Sequence, residues 1–76
     1  MSKYHDREKF MTLLTMDYPK FVEFIKNADY EQLKDLILAG LEILQNEKNT
    51  ILKIQIRGKI NAMGLEVDEK FRKKFK

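Results

Sequence analysis

Leu33, Leu36, Ile37, Gly40, Leu41 and Leu44 recur at i, i+3, i+4, i+7, i+8 and i+11. That spacing puts all six on one face of an α-helix and predicts a helix over 30–46. Phe10, Leu13 and Leu14 repeat the pattern in an earlier helix over 6–16, and Phe21, Phe24, Ile25 and Ala28 do so over 18–27. Polar residues punctuate these stretches. Asp17 reads as an N-cap whose carboxylate accepts from free first-turn amides. Pro19 follows in the first turn, where its missing N–H costs nothing. Asp29, with Gln32 three residues on, reads as a capping box for the helix that follows.

Residues 46–50 read Asn-Glu-Lys-Asn-Thr, polar but without glycine or proline. Two asparagines and a threonine favour a turn over a helix interior; the alternative is one long helix across 30–63. Beyond the turn the pattern has two readings. Leu52, Ile54 and Ile56 alternate with polar residues as in a strand, while Leu52, Ile56, Ile60 and Met63 form a helical stripe. A lone strand leaves its backbone groups unpaired, and no second strand-like run exists, so 50–63 reads as helix. Ile51 and Ile54 then fall off the stripe, Ile54 almost opposite it. Gly64 suits a helix C′ position and Leu65 the hydrophobic contact of a Schellman ending. Asp68 would cap a last helix over 69–75 that carries Phe71 and Phe75. The expected fold is an all-α bundle of four to five helices.

Composition narrows the picture. At 76 residues the chain has room for one domain. A chain this short buries roughly 60% of its unfolded surface, so extra burial from a partner is the open route to added stability. Cysteine is absent, which rules out disulfides, and His5 is the only histidine, which leaves no metal-ligand set. A 43% hydrophobic content argues against intrinsic disorder. The first residues lack the apolar core of a signal peptide, and the apolar run 36–44 contains Glu42 and is too short to span a bilayer. A cytoplasmic location is the expectation.

Catalytic chemistry has no local signature. There is no cysteine nucleophile, Ser2 is the lone serine, and the three glycines form no phosphate-binding loop. The chain is expected to be non-catalytic and free of metal and cofactor. Gly40, Ile51 and Ile54 are the candidate protein interface: Gly40 lets another backbone approach, either inside the monomer or from a second subunit, and the isoleucines are surplus apolar surface. Lys70, Arg72, Lys73, Lys74 and Lys76 crowd the C-terminal end, and with Arg57 and Lys59 they are candidate nucleic-acid contacts, since clustered cations neutralise phosphates. A solvated tail with Phe71 and Phe75 docked on the core is the plainer reading. Formal net charge is only +3, and Glu66, Asp68 and Glu69 precede the tail. The sequence therefore favours a protein–protein interaction or regulatory module, self-associating or bound to a larger protein. A nucleic-acid-binding accessory protein is the alternative, and membrane attachment ranks below both.

Overall fold

The computed structural model describes residues 3–74. Among them it has four helices and no strand: α1 (Lys3–Thr15), α2 (Tyr18–Asn27), α3 (Tyr30–Asn46) and α4 (Thr50–Lys74). The largest contact is between α3 and α4, and α1 packs across α3. Phe10, Leu13, Phe21, Ile25, Leu33, Leu36, Ile56 and Met63 form the core, so each helix contributes to one shared cluster. The molecule measures 40 × 28 × 17 Å. Each helix keeps exposed residues on a solvent face.

The turn after α3 is a real break, so the long helix across 30–63 does not form. Glu47 leaves the helix with φ −83° and ψ 135°. Asn49 then starts α4: its side-chain Oδ1 accepts from Leu52 N–H at 3.0 Å and its carbonyl from Lys53 N–H at 2.9 Å. The two helices run antiparallel, which brings the Tyr30 and Phe71 rings to 6.0 Å. Asp29 caps α3 as its sequence implies, accepting from Gln32 N–H at 2.8 Å. Asp17 occupies the N-cap position of α2 without making the side-chain bond. Only its carbonyl engages the helix, accepting from Phe21 N–H at 2.9 Å.

The expected stop at Gly64 is absent. The helices expected over 50–63 and 69–75 are one continuous α4, no glycine takes a positive φ, and Asp68 lies in the helix interior rather than at a cap. The reason is burial. Ile56, Ile60, Met63 and Val67 continue one inward stripe across Gly64, with Ile56 and Met63 fully buried. A mid-helix glycine costs about 1 kcal/mol, whereas burying one large apolar side chain contributes about 1.5–3 kcal/mol. Tertiary packing outweighs the local stop signal.

Gly40 has a clear structural role. A Cβ placed there would lie 2.5 Å from Phe10 Cε1 and 2.8 Å from Phe10 Cζ, so the Phe10 ring rests directly on the α3 backbone. Arg7 and Glu42 form an ion pair beside this contact. Alanine at 40 gains helix propensity of about 1 kcal/mol, but overpacking a tight site costs about 1–3 kcal/mol. Gly40→Ala is expected to lower the denaturant midpoint, and adding Phe10→Leu to recover part of that loss. Additive effects in this double-mutant cycle would show that the two sites do not share one packing constraint.

Candidate functional site

Helix α4 carries two apolar faces. Leu52, Ile56, Ile60, Met63 and Val67 point into the core. On the opposite side Ile51, Ile54 and Leu65 are 70%, 62% and 71% exposed. Positions 51, 54, 58, 61 and 65 are spaced three and four apart, the repeat that keeps side chains along one seam of a helix. Gly58 sits mid-seam, is exposed, and a Cβ there would meet nothing within 4 Å. Asn61, also exposed, is the polar member. Ile51 and Ile54 were legible as surplus apolar surface from the sequence. Leu65 was not, because a helix ending at Gly64 removes it from the seam; the unbroken three-four repeat through 58 and 61 is the signal that reaches it. Gly40, the third interface candidate, is buried under Phe10 and lies apart from this surface.

The basic candidates are divided. Lys59 turns inward, donating from Nζ to the Met16 carbonyl at 3.3 Å and lying 4.1 Å from the Phe21 ring centroid and 5.7 Å from that of Tyr18. Met16 directly follows α1, so the ammonium sits at the negative end of that helix dipole. Lys70 does the same for α2, donating to the Lys26 carbonyl at 2.9 Å, with Glu66 at 3.8 Å. Arg57, Arg72 and Lys73 are exposed. Arg57 lies two positions from the inward Lys59, hence on another side of the helix, and is separated from Arg72 by about 22 Å of helix. Among the described residues Arg57 therefore stands apart from Arg72 and Lys73. Lys76 and Phe75 lie outside the described residues, as do the side chains of Lys74 and His5. Phe71 is half-exposed and packs by its ring on Tyr30.

Among the described residues no three histidine, cysteine or carboxylate side chains cluster to hold a metal. The depressions are open grooves, such as the one bounded by Met16, Lys20, Phe24 and Ala28. Among the described residues no helix is long and apolar enough to cross a membrane. No protein-family model, curated protein or solved structure matches this chain.

Burial holds the Lys59 ammonium below the ordinary lysine value of 10.5, and the nearby Asp17 carboxylate partly offsets that effect. A group whose folded pKa is lowered binds fewer protons folded than unfolded between the two values, so stability rises with pH across that window. Lys59 is expected to titrate below the ordinary lysine value in a side-chain NMR titration, and Lys59→Met to remove the matching alkaline gain in stability. A Lys59 midpoint at or above the ordinary lysine value of 10.5 would refute this.

Proposed function

We propose that this chain is a non-catalytic protein–protein interaction module that self-associates through the outer face of α4. One observation carries the reading: three large aliphatic side chains, each more than half exposed, repeat along a single outward seam of the longest helix. Contiguous apolar surface of this kind favours association because burying it removes it from water. The core does not need these side chains, since Ile56 and Met63 fill it from the other side.

The size of the surface sets the strength. A helix of 25 residues is about 37 Å long, and a ridge about 10 Å wide along it offers on the order of 400 Å² per copy. Stable interfaces bury roughly 800 Å² per partner. Association through α4 alone is thus weak, in the micromolar range or above. Nucleic-acid contact has less support, because among the described residues Lys59 and Lys70 are engaged at helix ends and Arg57 stands apart from Arg72 and Lys73.

Ile54→Lys is expected to raise the dissociation constant of the self-associated form about tenfold or more, the effect of losing roughly 1.4 kcal/mol. The helical circular-dichroism spectrum and unfolding midpoint of the dilute chain should stay unchanged. Sedimentation velocity over a concentration series reads both forms. Leu38→Lys, at an exposed site on α3, should leave association intact. A wild-type chain that stays monomeric at millimolar concentration, or loss of association with Leu38→Lys alone, would refute the α4 reading.

A further inference from the structure

We infer that residues 16–29 form a strap: α2 opens as one unit while α1, α3 and α4 stay together, and Lys70 of α4 is the clasp on its last turn. Such an opening does not depend on self-association through the outer face of α4. The helices are unequally embedded. α3 packs along α4 and α1 across α3, whereas α2 rests mainly on α4. Within α2 only Phe21 and Ile25 are buried. Phe10, Leu13, Leu33, Leu36, Ile56 and Met63 all lie outside α2 and leave the other three helices a shared core without it. α2 is also the shortest helix, at 10 residues, and a helix of that length is marginal in water once its tertiary contacts are gone. Its start is weakly held, since the Asp17 side chain makes no cap bond. Non-helical backbone bounds it on both sides, with ψ 144° at Asp17, 151° at Ala28 and 169° at Asp29. Released from α4, α2 therefore melts, and 16–29 becomes a loop between α1 and α3.

The two ends of α2 are held differently by α4. Lys59 and Lys70 stand about three turns apart, so both leave α4 on the same side. Lys70 Nζ donates to the Lys26 carbonyl at 2.9 Å, one of the last-turn carbonyls that find no partner within a helix. Its ammonium stays partly solvated beside Glu66, so the bond carries little desolvation cost. At the other end Lys59 Nζ donates to the Met16 carbonyl at 3.3 Å and lies 4.1 Å from the Phe21 ring centroid. Burial disfavours its charge there, and opening returns the ammonium to water, so this end is held less firmly. Opening gives up these two bonds and the burial of Phe21 and Ile25 together. The contact of Phe10 with Gly40, which joins α1 to α3, lies outside the strap and is kept. The open form exposes Phe21, Ile25 and the apolar surface they cover, all of it hidden in the closed molecule. The strap thus sets how often that surface is available.

Native-state hydrogen exchange of the intact, dilute chain, read by NMR over a series of low denaturant concentrations, tests the strap. The amides of Val22, Phe24 and Ile25 are expected to exchange through one common opening. Its equilibrium constant should exceed that of the slowest α3 and α4 amides on the order of tenfold or more, with a smaller denaturant slope because less surface is exposed. Gly40→Ala strains the α1–α3 contact, which the open form keeps. It should speed the slowest α3 and α4 amides and leave the α2 opening as in wild type. Lys70→Met should raise the α2 opening constant about two- to tenfold, the range for one lost hydrogen bond. α2 amides that share the opening constant and denaturant slope of the α3–α4 core would overturn the inference, since α2 would then open only when the whole molecule unfolds. Equal acceleration of α2 and core amides by Gly40→Ala would do the same. An α2 opening unchanged by Lys70→Met would overturn the assignment of Lys70 as the clasp.

Discussion

The contact of the Phe10 ring with the α3 backbone at Gly40 is the constraint on which the rest of the packing depends. It brings α1 onto α3 at a distance that any side chain at 40 would prevent. Phe10 is fully buried there, and Arg7 reaches Glu42 alongside it. Helix α3 can then take α1 on one flank and α4 on the other, which places Leu33 and Leu36 at the centre of the core. In so small a chain the core is limited by how many helices can approach one another. A missing side chain at the central crossing does more for burial than an additional apolar group would.

Helix α4 is the second organising element. Its inner side supplies Ile56 and Met63 to the core, and its lysines close the ends of two other helices. Lys59 meets the carbonyl that follows α1, and Lys70 meets a last-turn carbonyl of α2. The last carbonyls of a helix lack intrahelical partners, and a long flexible cation reaches them while its methylene stem covers apolar surface. Both lysines look like nucleic-acid ligands in a list of basic residues. Their placement gives them a structural task, at the cost of partial desolvation for Lys59.

Local punctuation was the legible part of the fold. Asp29 and Asn49 mark helix boundaries through side-chain bonds between near neighbours in sequence, whereas Asp17 marks its boundary by position without that bond. The helical period of Leu52, Ile56, Ile60 and Met63 likewise resolved an ambiguous segment correctly, because a lone strand has nothing to pair with. Gly64 misled for the opposite reason. Its meaning depends on whether Val67 and Lys70, one and two turns further on, have a surface to dock on, and that surface belongs to other helices. Gly40 was ambiguous until Phe10 was seen above it. Ile51 and Ile54 were identified as surplus apolar residues, but the seam they belong to needs Leu65, which only an unbroken α4 supplies.

The outward seam also bears on why α4 is so long. Met63 is the last fully buried position on its inner stripe, and the core contact runs one turn beyond it. Continuing through Gly64 adds Val67 and the Lys70 contact on the inner side, and on the outer side it adds Leu65 and Asp68. The extension therefore completes two surfaces at once. Two glycines in its interior cost about 1 kcal/mol each in helix propensity, and neither is required by packing within the monomer, since a Cβ at 58 or 64 meets nothing. On the outer side Gly58 leaves open space on the face that carries Ile51, Ile54 and Leu65.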